Sequence, residues 1–362
     1  MIFLGGLSLI IWLYLLLGRG GFWRFAVEPT PAGPATPRSV HVVIPARDEA
    51  ESIGHAIRSL LAQDYDGSLR IFVVDDHSTD GTAAVALAAG DVTIIRAAPL
   101  PAGWTGKLWA VSQGVEAAAG ADYLLLTDAD IVHSANNVRT LVARAEAGSF
   151  DLVSYMVMLQ CETLAERALI PAFVFFFFML YPPVWIARRN RKMAGAAGGC
   201  MLIRPAALER IGGIASIRGE LIDDCALAAR VKQSGGAIWL GLTRATKSLR
   251  SYAGFSDVSN MIARTAFTQL NHSFWLLMGT VLGLLLTYVA PVVCWNWTGL
   301  AAFVLMTLAY LPAVRFYRLS PLWALSLPAV ATFYLGATVL SAIRYWSGRG
   351  GEWKGRVQDA LK

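Results

Sequence analysis

Apolar residues run almost unbroken from position 2 to 17 (IFLGGLSLIIWLYLLL) and return in long blocks near the C-terminus, whereas residues 40–241 alternate short apolar runs with amphipathic ones. Aliphatic and β-branched runs of four to eight residues between turn residues predict buried strands; apolar spacing of three and four predicts helices. VHVVI (40–44), RIFVV (70–74), VTIIR (92–96), YLLLT (123–127) and DLVSYMVM (151–158) fit the first pattern. Residues 50–62 fit the second, with Ile53, Ala56, Ile57, Leu60 and Leu61 on one face, and helices are also expected over 82–89 and 107–118. Strands alternating with helices predict an α/β domain with a mostly parallel sheet and helices on both faces. Such sheets bind ligands at the carboxyl ends of their strands.

The apolar blocks divide the chain further. Arg19 and Arg24 follow the first block, with no cleavage pattern, so residues 1–27 read as an uncleaved signal anchor starting outside and placing Arg19 inside. Pro29, Pro31, Pro34 and Pro37 make 28–38 a stiff linker into a domain over 39–270. Residues 274–293 and 300–314 are long enough to span, turning at Asn296 and Trp297, with Arg315 and Arg318 on the cytoplasmic side. The run 322–343 admits two readings. If it spans, Arg344, Arg349, Lys354 and Arg356 fall outside, against the positive-inside rule; if it is re-entrant, they stay inside. Membrane helices are thus expected over 271–346, with a basic cytoplasmic tail over 347–362. The segment 164–192 (…IPAFVFFFFMLYPPVWI…) ends in Arg188, Arg189, Arg191 and Lys192. It reads as an interfacial helix with its basic cluster on headgroups, a buried core helix being the alternative.

Hydrophobic residues make up 56% and charged residues 15%, which excludes a disordered chain, a disulfide scaffold and a fibre. The net charge of +6 fits contact with anionic headgroups, and the absence of a basic helix or nucleic-acid motif argues against a nucleic-acid partner. Cys161, Cys200, Cys225 and Cys294 form no C-x-x-C pair, and the five histidines have no zinc-ligand spacing. Reduced thiols in a cytoplasmic compartment follow.

Three expected strands end in carboxylates: Pro45-Ala46-Arg47-Asp48-Glu49 follows the first, Asp75-Asp76 the second and Asp128-Ala129-Asp130 the fourth. Helix capping explains Ser78 or Asp80, but not the convergence of Asp75–Asp76 with Asp128–Asp130. Converging carboxylates repel and need a cation or hydrogen-bond donors. They point to a nucleotide base and ribose at one end of the edge and a divalent metal (Mn or Mg) at the other. The sequence has no G-x-x-x-x-G-K-[ST] and no G-x-G-x-x-G after the first strand, which excludes a P-loop and a dinucleotide fold.

VVIPARDEAESI, VVDDHSTDGT, the Gly106-Lys107…Ala110 element, LLLTDAD, GGCMLIRPAALERIGG and ELIDDCALAARVKQSGG together resemble family 2 inverting glycosyltransferases of GT-A fold. The apolar ends, FFFFMLYPP and the closing GRGGEWKGR resemble more narrowly the hopene-associated membrane glycosyltransferases of bacteria. The resemblance implies a multi-pass protein of the bacterial inner membrane, its catalytic domain cytoplasmic, moving one sugar from a UDP-sugar to a lipid acceptor such as a hopanoid. A polyprenyl-phosphate sugar transferase shares these motifs; a nucleotide-sensing export component is the non-enzyme alternative. By resemblance, Pro45, Ala46, Arg47 and Glu49 line the nucleotide pocket, and Asp76 accepts from the uracil N–H with Asp75 beside it. Asp130 is the metal ligand, and Asp128 contacts ribose or metal-bound water. Lys107 faces the sugar or diphosphate, Gly199 allows close approach, and Arg264 clamps the diphosphate. Asp224 is the catalytic base. Asp stands at 223 where the family has Glu, which keeps Asp223 as the alternative base. Met261 and Thr265 replace residues of the Q/R-x-x-R-W pattern of processive members, so a single transfer is expected.

Overall fold

The sheet is built around the most apolar strand segments, since strands covered on both faces must carry near-continuous aliphatic runs. In the computed structural model, which describes residues 2–31, 37–294, 296–353 and 356–359, its strands are β1 (Val40–Ala46), β2 (Leu69–Asp75), β3 (Thr93–Arg96), β4 (Tyr123–Thr127), β5 (Ile131–Val132), β6 (Leu152–Met158), β7 (Cys200–Ile203) and β8 (Ile238–Ser248). Linker positions 32–36 and tail positions 354, 355 and 360–362 lie outside the described residues.

The strand order is β3-β2-β1-β4-β7-β6-β8-β5. β1 lies between β2 and β4, parallel to both, so the order reverses at β1 and opens a crevice at its carboxyl end. The sheet is mostly parallel as expected, but β7 runs antiparallel between β4 and β6, and β5 antiparallel to β8. Val42, Ile44, Ile71, Val73, Leu125 and Val153 form the core of one face together with Ile53, Ile57 and Leu60 of the helix Ile53–Leu61. Leu61, expected on that face, is 44% exposed, because the helix ends there.

The helix Gly106–Ala117 covers the other side, where Val74, Ala97 and Ala110 pack together. It approaches the sheet closely at Gly114: a Cβ there would meet Val43 Cγ1 at 2.4 Å and Val74 Cγ2 at 2.9 Å. Gly114→Ala is therefore expected to lower stability by about 1–3 kcal/mol despite its better helix propensity. A thermal melt with an unchanged midpoint would contradict this packing.

Contacts divide the chain into two compact units. One holds the sheet, Ala26–Leu159 with Trp185–Arg250; the other comprises Met1–Phe25, Gln160–Val184 and Ser251–Lys362. Four helical segments are long and apolar enough to cross a membrane: Leu164–Ala187, Phe274–Val293, Trp297–Phe316 and Pro321–Trp346. The helix Ile2–Gly18 is shorter.

The segment expected to lie in the interface is thus itself of spanning length. Its Phe175 and Phe178 are buried, Phe175 against Phe22 and Tyr310 with ring centroids 5.2 Å from each. Its start is fastened by Glu166, which accepts from the N–H groups of Glu162, Thr163 and Tyr252 at 2.8, 2.9 and 2.7 Å. In the last run, Pro321 and Pro328 each sit in the first turn of their helical segments, where a missing N–H breaks no bond. These prolines therefore do not interrupt it. Phe274–Val293 contains a π-turn over Leu285–Val289, and the buried Trp12 indole donates to the Thr287 carbonyl at 2.8 Å.

Candidate active site

The crevice at β1 is lined by two loops locked together. Asp76 N–H donates to Ala46 O at 2.8 Å, and Arg47 Nη1 donates to Asp76 O at 2.7 Å while lying 3.5 Å from Asp76 Oδ2. Asp48 accepts from Thr79 N–H at 2.8 Å, Glu49 N–H donates to Thr82 Oγ1 at 2.8 Å, and Ala50 N–H donates to Asp80 Oδ2 at 2.9 Å. Asp48 and His77 take left-handed backbone conformations, φ 51° and 58°, to make these turns. Asp75 and Asp76 are both buried, and Asp75 accepts from Ser78 N–H at 3.2 Å. Pro45, Ala46, Arg47, Asp75 and Asp76 are thereby gathered at adjacent strand ends.

A second group forms where β4 ends. Lys107, in the first turn of its helix, places Nζ 3.0 Å from Asp128 Oδ1 and 3.1 Å from Asp223 Oδ2. Burial works against its charge, but Asp128, Asp223 and Asp224 together raise its pKa. Asp223 and Asp224 open the helix Asp223–Gln233. Asp224 accepts from Gly198 N–H at 2.9 Å and from Cys225 N–H at 2.7 Å. Burial, then the charge of Asp223, push its carboxyl up to about 6, against the opposing effects of Lys107 and the two N–H groups. Pro45, Lys107, Asp128, Gly198 and Asp223 line one cleft. Gly199 lies beside it, its carbonyl accepting from Thr127 Oγ1 at 2.7 Å; a Cβ there would meet Ile131 Cδ1 at 3.2 Å.

Asp130 sits two residues from Asp128 and accepts from Ser248 Oγ at 2.9 Å. Arg250 reaches it at 3.6 Å and reaches Glu49 Oε1 at 3.5 Å. Sequence reasoning did not single out Arg250 or Ser248. Ser248 ends β8 and Arg250 follows two residues later, and the pairing of β8 with β5 is what brings them to the D-x-D. Arg264 is on the helix Phe255–Thr265, in the other unit, with its buried Nε lacking a hydrogen-bond partner.

Among the described residues, no group of three or more His, Cys, Asp or Glu side chains converges into a metal cage. Asp128 and Asp130 nevertheless form a site in surplus of negative charge: burial, then Asp128, raise the Asp130 pKa, and Arg250 and Ser248 offset this only in part. Two carboxylates in that condition suit a divalent cation.

Residues 41–212 match the family model described as Glycosyl transferase family 2. Two 4,4'-diaponeurosporenoate glycosyltransferases of Staphylococcus aureus, strains bovine RF122 / ET3-1 and MRSA252, are 34% and 33% identical over 94 residues. Those matches take in 26% of this chain and 24% of each relative, so the chain matches about a quarter of their length. A mannosyltransferase from Pyrobaculum calidifontis, solved in complex with GDP-Man and Mn2+, shares the fold with a TM-score of 0.56 at 18% identity, over 94% of this chain and 98% of that one. Residues 41–212 thus match the glycosyl transferase family 2 model, and the sheet that carries them has a GT-A-like fold.

Proposed function

We propose that the protein is a membrane-embedded, metal-dependent, inverting transferase that moves one sugar from a UDP-sugar to a polyprenoid lipid, a hopanoid by resemblance, at the cytoplasmic leaflet of the bacterial inner membrane. The observation that carries this reading is the Lys107 bridge between Asp128 and Asp223, with Asp224 adjoining, in the cleft that also includes Pro45. It brings the carboxyl end of β1 and the acidic start of the helix Asp223–Gln233 into one site.

In this reading the nucleotide lies along Pro45, Ala46, Arg47 and Glu49, with Asp76 accepting from the uracil N–H and Asp75 holding the turn. Asp130 and Asp128 hold the divalent cation, which when bound neutralises charge on the diphosphate leaving group. Lys107 faces the sugar and diphosphate. Asp224 takes the proton from the acceptor hydroxyl as its oxygen attacks the anomeric carbon opposite the leaving group, which inverts the configuration. A membrane setting is supported by the four helices of spanning length. A lipid acceptor is in keeping with relatives named for diaponeurosporenoate.

The test is incubation of the purified full chain with a panel of UDP- and GDP-sugars and total bacterial lipid, following nucleotide release with and without Mn2+. UDP release that requires both lipid and Mn2+, with an inverted glycolipid as product, is expected. A product linked through phosphate would reassign the acceptor as a polyprenyl phosphate, and release indifferent to Mn2+ would reject the metal.

A further inference from the structure

Residues 196–199 form a short strap beside Asp224, and buried side chains from three elements fasten it. Cys225 Sγ reaches Ala196 O at 3.6 Å. Ser154, fully buried on β6, accepts from Ala197 N–H at 2.8 Å and donates to Ala197 O at 3.1 Å. Thr127, at the end of β4, donates to Gly199 O at 2.7 Å.

The Thr127 bond fixes the groups behind it. Its single proton is committed to the Gly199 carbonyl, so the Nε2 of buried His133, 3.1 Å away, must donate into Thr127 Oγ1. His133 Nδ1 then accepts from Asn137 Nδ2 at 2.9 Å, and the other Asn137 amide hydrogen faces Cys200 Sγ at 3.5 Å. Burial keeps this imidazole neutral, with its pKa pushed down to about 3, as such a chain requires. The far end of the strap is thus held by a directed series of bonds with no free rotor in it.

The near end bears on the chemistry. The carbonyl of Ala197 and the N–H of Gly198 are the two ends of one planar peptide group. The hydroxyl that fixes the carbonyl therefore fixes the direction of the N–H, and that N–H donates to Asp224 Oδ2 at 2.9 Å. A hydrogen bond received at the carbonyl also polarises the amide and strengthens the one it gives.

We propose that Ser154 is a positioning residue for transfer: its hydroxyl holds the Ala197–Gly198 peptide so that the Gly198 N–H is aimed at Asp224 and stabilises the charged carboxylate. The inference rests on the reading of Asp224 as the proton acceptor. The other charged groups facing Asp224 are Asp223 on its own helix and Lys107 on the helix Gly106–Ala117, with Asp128 behind Lys107. A change at Ser154 leaves all three in place.

Ser154→Ala is expected to move the acid limb of the kcat profile up by about one pH unit, because an N–H bond to the charged form is weakened. On that limb the rate falls about tenfold and recovers at high pH, with KM for the nucleotide sugar unchanged. Ser154→Thr, which keeps the hydroxyl, returns the limb to its original position. Ser154→Cys, close in volume with a weaker donor, lies between and serves if the Ala variant does not fold. A carbon-13 NMR titration of the Asp224 carboxyl, assigned by its loss in Asp224→Asn, reads the same shift without turnover. A purely structural role would lower activity evenly at every pH. A folded Ser154→Ala or Ser154→Cys protein whose limb and carboxyl titration stay in place overturns the inference. If Asp224→Asn is inactive in that case, only the role of Ser154 fails; if Asp224→Asn is fully active, the reading of Asp224 itself fails.

Discussion

Asp224→Asn is expected to lower the transfer rate by about 10²–10⁴-fold, the range for loss of a general base, while nucleotide binding and thermal stability stay near those of the parent. Asn keeps the volume of Asp and, with its one acceptor oxygen, one of the two bonds that Gly198 N–H makes to Oδ2 and Cys225 N–H makes to Oδ1. It also relieves the repulsion from Asp223 that helps to hold the parent carboxyl at about 6. The same displacement sets the pH dependence of the parent. The base works only when ionised, so the rate should fall about tenfold per pH unit below about 6 and level off above it. The Asn variant should show no such limb in whatever activity remains. Single-turnover kinetics across pH, with nucleotide affinity measured alongside, separate loss of proton transfer from loss of binding. A flat parent profile through this range, or an Asn variant at parental rate, would move the base elsewhere, with Asp223 the first alternative.

The second large effect is expected at the D-x-D. Asp130→Asn should reduce turnover by about two to three orders of magnitude, the scale for losing charge stabilisation of a leaving group. It should also abolish the response to added Mn2+. The protein should still fold. Asp130 lies among other carboxylates, its pKa raised by burial and by Asp128, so neutralising it removes repulsion, while Arg250 keeps its contact with Glu49. The Ser248 hydroxyl can donate to the amide oxygen as it does to the carboxylate. Calorimetric titration of Mn2+ in the presence of UDP checks the change directly. A variant whose Mn2+ response matches the parent would remove Asp130 as a ligand.

Asp130 also marks how far the chain could be read in one dimension. The D-x-D stands directly after the apolar run YLLLT, and strand ends are where an open α/β sheet puts its ligands, so its place was legible from local pattern. The same holds for Arg47 after β1 and for Asp75 and Asp76 at the end of β2. Lys107 was legible as a cation at a helix start. Its pairing with Asp128 and Asp223 was not, since one follows β4 and the other opens the helix Asp223–Gln233, far apart in the chain. Arg250 was missed because nothing in KSLR distinguishes it from a solvated arginine. The pairing of Ile131 with Ser248 and of Val132 with Lys247 is what carries it to Glu49 and Asp130.

The apolar segments show the same division. Apolar helices of spanning length near 274–293 and 300–314 followed from length and composition, which are local quantities, and the structure has them at Phe274–Val293 and Trp297–Phe316. The fate of Pro321 and Pro328 did not, because a proline stops a helix or starts one according to which turn it occupies. The aromatic segment before Pro182 was ambiguous for a related reason. An apolar helix face is the same whether it meets lipid or protein, and only the packing of Phe175 against Phe22 and Tyr310 distinguishes the two.

By itself, then, the sequence determined five of the eight strands of the sheet, which segments are apolar enough for a bilayer, and which carboxylates stand at strand ends, because hydrophobic periodicity and turn chemistry act over a few neighbouring residues. Only the tertiary structure decided that β7 enters antiparallel between β4 and β6, that Lys107 joins Asp128 to Asp223, and that Ser154 reaches across to the peptide beside Asp224. Those contacts join residues far apart in the chain, and their geometry is set by strand register and close packing of the whole sheet, which no local pattern encodes.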